Sequence, residues 1–187
     1  ANAQIASFYP GAMAYAGELS FKNLLQKPDL VVISPNDPEA MRRYVAECRE
    51  LGIPYFYDPS QQLVRLDAET LRQGIQGARA LFVNEYEFGL VEKITGLTRE
   101  DVLRQVEFLV ITLGSKGAQI VTRETEIQIP VFPPNRIQDP TGVGDAFRGG
   151  FLMGYSNGWG LELCGKMGAL AATYCLENTG TQDHRYT

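Results

Sequence analysis

Short runs of β-branched and aromatic residues recur along this chain, and helix-like segments lie between them. The first run, Leu30-Val31-Val32-Ile33, ends at Ser34-Pro35-Asn36-Asp37-Pro38. After it, Glu39 to Leu51 places Met41, Tyr44, Val45 and Cys48 on one helical face until Gly52 stops the pattern. Pro54-Tyr55-Phe56-Tyr57 predicts the next strand, closed by Asp58-Pro59, and a helix over about 68–75 leads to the strand Ala80-Leu81-Phe82-Val83. A third helix runs on from Tyr86, and another begins at Thr98 and feeds the run Leu109-Val110-Ile111-Thr112-Leu113. This alternation is the βαβ pattern, which predicts an α/β fold with a mostly parallel sheet and helices on both faces. Ligands of such sheets bind beyond the carboxyl ends of the strands, and Asn84, Thr112 and Gly142 are all expected there.

The run Asp139-Pro140-Thr141-Gly142-Val143-Gly144-Asp145 carries most of the chemistry. Apolar residues follow at Phe147, Phe151 and Leu152, so Gly142 and Gly144 sit where a loop becomes the first turn of a helix. Unpaired N–H groups and the positive end of the macrodipole make such a start a cradle for an anion, and glycine lets the backbone approach closely. Asp145 adds an ionised carboxylate at the same point, where it can accept a proton. Phosphoryl transfer to an alcohol needs both parts, donors for the transferred group and a base for the hydroxyl. An aspartate cap beside a tight turn is the simpler alternative, although it requires only one of these residues.

Two upstream stretches have readings of the same two kinds. Asn84-Glu85-Tyr86-Glu87 follows a strand, and its spacing by itself is a capping box. A lone carboxylate at a strand end is also adequate for Mg²⁺, which keeps most of its waters, and the two roles are compatible. Gly114 and Gly117 bracket a tight turn between Leu109–Leu113 and Gln119-Ile120-Val121-Thr122, which by itself is an ordinary hairpin.

With these motifs in this order, the chain resembles the ribokinase-like, or phosphofructokinase-B type, family of carbohydrate and nucleoside kinases. The family's C-terminal signature is close to D-T-x-G-A-G-D followed by F-x-x-G-F; here Pro140 replaces the usual Thr and Val143 the usual Ala. The resemblance implies a three-layer ribokinase-like fold. It implies Asp145 as catalytic base and the N–H groups of Gly142, Val143 and Gly144 as an anion hole. It also implies Asn84 and Glu87 around Mg²⁺, Thr112, Gly114 and Gly117 along ATP, and Asp139 as a ligand of a monovalent cation such as K⁺. Thr179-Gly180-Thr181-Gln182 resembles the family's loop beside the adenine.

Composition excludes several other classes. The formal net charge is -5 with no basic patch, which argues against a nucleic-acid surface. No stretch approaches the ~20 apolar residues of a membrane span, and Ala1-Asn2-Ala3-Gln4 does not open a targeting signal. Cys48, Cys164 and Cys175 are odd in number and far apart, which fits buried thiols in a reducing cytoplasm. The only histidine, His184, lies near the C-terminus, so a Ser-His-Asp or Cys-His mechanism is not expected.

No repeat or linker divides residues 1–187, which are expected to form one α/β unit. Set against the family, that unit lacks the N-terminal strands, the small lid and the final helix, so the expectation is a fragment of a longer kinase with an exposed sheet edge. The expected function is ATP-dependent phosphorylation of a hydroxymethyl group on a sugar or nucleoside. Phe8-Tyr9-Pro10-Gly11-Ala12-Met13 resembles a loop of adenosine-kinase-like members, which favours adenosine, although a Pro-Gly pair is also simply a turn. The alternatives are a non-catalytic nucleotide-binding regulator and a hydroxymethylpyrimidine-type kinase. A small-molecule acceptor is the expected partner, and a homodimer is compatible with these features.

Overall fold

The computed structural model describes residues 9–185. Its strands are β1 (Val31–Ile33), β2 (Tyr55–Tyr57), β3 (Ala80–Asn84), β4 (Phe108–Thr112), β5 (Ala118–Val121) and β6 (Glu126–Ile129). They form a single six-stranded sheet in sequence order, with β1 to β4 parallel and β5 and β6 antiparallel. The helices are α1 (Pro38–Glu50), α2 (Ala68–Ile75), α3 (Glu85–Thr95), α4 (Arg99–Leu103), α5 (Val143–Ser156) and α6 (Leu161–Leu176).

Period-two alternation splits each strand between two cores. Tyr55, Tyr57, Leu81, Val83, Leu109 and Ile111 face one side, where they pack with Met41, Val45 and Cys48 of α1, Leu71 and Ile75 of α2, Val91 of α3 and Val102 of α4. Phe56, Ala80, Phe82, Phe108 and Val110 face the other, against Phe147 and Phe151 of α5 and Cys164 and Ala169 of α6. Buried on both faces, the central strands read as unbroken apolar runs, as parallel strands should. The result is the expected three-layer α/β architecture.

Local signals set the helix ends. Asp37 caps α1, accepting from the N–H groups of Glu39 and Ala40, and Pro38 opens the helix. Asn84 and Thr98 each close a capping box, with Glu87 and Asp101 respectively. On the second face α5 and α6 approach closely: a β-carbon at Gly150 would lie 2.5 Å from the Met167 carbonyl oxygen, and one at Gly168 would lie 2.7 Å from that of Phe147. Among the described residues no helix is long and apolar enough to cross a membrane.

Candidate active site

The loops after β2, β3 and β4 meet the start of α5 at one end of the sheet. There a cleft of about 250 Å³ is lined by Asp58, Ser60, Asn84, Glu87, Thr112, Gly142, Gly144, Asp145 and Arg148, with Phe82, Val83 and Phe147 beneath them. Asn84 and Thr112 are register partners at the ends of β3 and β4, so the sheet itself sets their separation. Three loops far apart in sequence thus converge beyond the carboxyl ends of parallel strands, where the topology predicts a binding site.

Gly142 is the N-cap of α5, with φ +82°, and no side chain closes the helix start. That conformation suits glycine. The N–H groups of the first turn therefore have no side-chain cap, and Val143 N–H makes a long turn contact of 3.4 Å with the Pro140 carbonyl. Asp145 does not act as the cap. It stands in the first turn with its side chain 72% exposed and its Oδ1 paired to Arg148.

Glu87 closes the expected capping box and also lines the cleft. Asn84 Oδ1 accepts from Glu87 N–H at 2.8 Å, and Glu87 Oε2 accepts from Asn84 N–H at 2.8 Å, completing the capping box while the glutamate lines the cleft. Its other oxygen, Oε1, lies 3.4 Å from the hydroxyl of Ser60. Ser60 holds φ +39°, the one positive value at a non-glycine among the described residues, so backbone strain sits at the rim of the cleft.

Asp139 lies behind the cleft rather than in it. Its Oδ1 accepts from Thr141 N–H at 2.9 Å and its Oδ2 from Gly180 N–H at 3.1 Å, which ties the loop before α5 to the segment 179–182. The Thr141 N–H, the Thr141 hydroxyl and the Gly180 N–H hold this carboxyl below the usual carboxylate range. Each oxygen thus accepts from one backbone donor.

Of the three residues expected along a nucleotide, Thr112 lines the cleft; Gly114 and Gly117 follow it in the sequence. They form the turn between β4 and β5, where Leu113 N–H reaches the Gly117 carbonyl at 2.7 Å. Gly117 has φ +91°, and a β-carbon there would lie 2.0 Å from the Ile129 carbonyl oxygen, so the neighbouring strand leaves no room for a side chain. Of the segment expected to mark the acceptor, Phe8 lies outside the described residues, Tyr9 is exposed, and Pro10 precedes a 3-10 turn over Gly11–Glu18.

Two residues without an expected role belong to the site. Asp58 directly follows β2, its side chain 3% exposed, and its Oδ2 pairs with the Arg148 guanidinium, which also holds Asp145. Burial pulls the Arg148 guanidinium below its ordinary value, and contact with two carboxylates favours the charged form. A carboxylate at the carboxyl end of a parallel strand was the available signal for Asp58. Its partner, in a distant helix, left none.

Comparison with known proteins agrees with this fold. The profile of the pfkB family carbohydrate kinases matches residues 1–186. A nucleoside kinase of Methanocaldococcus jannaschii is 35% identical over 181 residues, covering 97% of this chain and 59% of the relative. The nucleoside kinase of Burkholderia thailandensis, solved with inosine, superposes with a TM-score of 0.93 at 34% identity, covering 98% of this chain and 60% of that one. Solved with ADP-inosine, it superposes at 0.94, covering 98% and 57%. This chain thus spans about three-fifths of the length of the relatives it matches.

Proposed function

The chain belongs to the pfkB family of carbohydrate kinases, with a ribokinase-like fold, and from that premise we propose that it supplies the nucleotide-binding and catalytic part of an ATP-dependent nucleoside kinase. One observation carries the proposal: an uncapped helix start and a carboxylate with no capping duty, Asp145, face the same cleft as Asn84, Glu87 and Thr112.

The N–H groups at Gly142 and Gly144 bind the phosphoryl group as charge spreads over its oxygens. Asp145 takes the proton of the acceptor hydroxymethyl group while the new O–P bond forms. The electron pair of the breaking bond leaves with the bridging oxygen of ADP. Thr112 lies on the nucleotide side, and we give Asp139 the role of a clamp rather than that of a cation ligand.

Charge balance calls for a divalent cation. Asp58, Glu87 and Asp145 line the cleft with one cation, Arg148, already paired to two of them. A polyphosphate entering such a site needs a counter-charge of its own. Among the described residues no cluster of three or more His, Cys, Asp or Glu could hold a metal unaided. That fits Mg²⁺, which arrives with the phosphates and needs one carboxylate; Glu87 would hold it, and the ion would neutralise the transferring group.

The inosine complexes of the Burkholderia thailandensis enzyme support a purine nucleoside as acceptor. The test is ATP consumption by the full-length protein with Mg²⁺ against inosine, adenosine, cytidine, ribose and fructose. Asp145→Asn is expected to lower turnover by roughly 10²–10⁴ and to leave ATP binding within a few-fold. Undiminished turnover in that variant would remove the base from the mechanism.

A further inference from the structure

Arg148 joins two carboxylates of unequal freedom. It lies one turn beyond Asp145 on α5, where residues three apart share a face. Its Nη2 meets Asp145 Oδ1 and its Nη1 meets Asp58 Oδ2. The Asp58 side chain is 3% exposed, that of Arg148 17% and that of Asp145 72%. A buried carboxylate without a partner is expensive, so the Asp58 end of the bridge is fixed. The Asp145 end is open to solvent and contributes little to stability, as exposed pairs at this spacing do.

The frame around the guanidinium is rigid as well. Phe56, two residues before Asp58, stacks edge-on against Phe151 and Tyr155 of α5, with ring centroids 6.3 and 4.9 Å away. Strand end and helix are therefore packed together, and the arginine between them has little room to turn.

We propose that Arg148 is a positioning residue for phosphoryl transfer: anchored by Asp58, it holds Oδ1 of Asp145 so that Oδ2 is presented to the acceptor hydroxyl. The inference rests on the assignment of Asp145 as base. An exposed aspartate in a first turn would otherwise sample several rotamers, and a base contributes most when its reacting atom is held in place. Asp58 has a second use in this arrangement. When Asp145 Oδ2 takes the hydroxyl proton and its charge disappears, Arg148 keeps a carboxylate partner, so no buried cation is left uncompensated.

The test uses the full-length protein with ATP, Mg²⁺ and the nucleoside panel, and measures kcat, KM and the affinity for ATP without acceptor. Arg148→Met is expected to lower kcat about 10–100-fold, as misplacement of a reacting group does. The KM for ATP and the ATP affinity should stay within about threefold, because positioning affects the transition state and not nucleotide binding. Arg148→Lys, or millimolar guanidinium added to Arg148→Met, should restore part of the loss and should do nothing for Asp145→Asn. Should Arg148→Met fold poorly because it orphans Asp58, the double variant Asp58→Asn/Arg148→Met removes both buried charges and carries the same expectation. Wild-type kcat in the folded variants, or a fall in kcat matched by lost ATP affinity, would overturn the positioning role. The base assignment fails separately, if Asp145→Asn retains turnover or if no acceptor is phosphorylated by the wild-type protein.

Discussion

A β-carbon on Gly142 would lie 2.8 Å from Cγ2 of Thr181, so the loop before α5 and the segment 179–182 meet with no room for a methyl group between them. Gly142 also needs its φ of +82°. At Gly144, two residues on, a β-carbon would have nothing within 4 Å. The two glycines of the cradle therefore answer to different demands.

Gly142→Ala is expected to destabilise the protein by about 1–2 kcal/mol, through strain in the left-handed region and the collision with Thr181. Gly144→Ala should leave stability unchanged or raise it by roughly 0.5 kcal/mol, since alanine is the better helix former. It should still cut turnover at least about tenfold if a phosphate lies against that N–H. Urea unfolding and turnover assays on both variants separate the demands. Wild-type activity in Gly144→Ala would take the phosphate away from this position.

Glu87 caps α3 and lines the cleft, and amide and alanine substitutions part those duties. Gln completes a capping box as well as Glu, so Glu87→Gln should keep the urea midpoint while raising the Mg²⁺ concentration needed for half-maximal turnover. Glu87→Ala should raise the Mg²⁺ requirement and also cost about 1 kcal/mol of stability. An unchanged Mg²⁺ dependence in Glu87→Gln would leave Glu87 as a cap alone.

Burial pushes the Cys48 thiol up to about 12. In the unfolded chain the thiol ionises near its ordinary value, so from about pH 9 to 12 the unfolded state binds fewer protons than the folded one. Stability is then fully present below that window and falls as pH rises through it, by roughly 1 kcal/mol per pH unit for one such group. Burial raises Cys164 and Cys175 too, in the same direction. Urea midpoints measured between about pH 8 and 10.5 should therefore fall less steeply in Cys48→Ala than in the wild type. Equal slopes would mean that Cys48 meets solvent in the folded state.

Strands β1 to β4 and the loops after them were legible because parallel strands buried on both faces leave uninterrupted apolar runs, whereas the edge strand β6, with exposed Glu126 and Gln128, leaves none. The predicted helix over 68–75 coincides with α2, and Asn84, Thr112 and Gly142 meet at the cleft as the topology requires. Helix α6 was not legible. It is apolar nearly all round and carries Gly165 and Gly168, which look like breakers but let it lie against Ile129, Ile120 and Phe147. At Gly117 the carbonyl of Ile129 excludes a side chain, a contact that the spacing of Gly114 and Gly117 does not show. Arg148 and Asp58 became a pair only through the packing of α5 on the sheet, which no local pattern records.

Asp139 has a wider consequence. By accepting from Thr141 on one side and Gly180 on the other, it welds two loops into one rigid piece, with Gly142 pressed against Thr181 inside the joint. Whatever leans on the segment 179–182 is thereby registered at the N–H donors that open α5. Mutations that loosen the joint are expected to disturb the segment 179–182 and the start of α5 together.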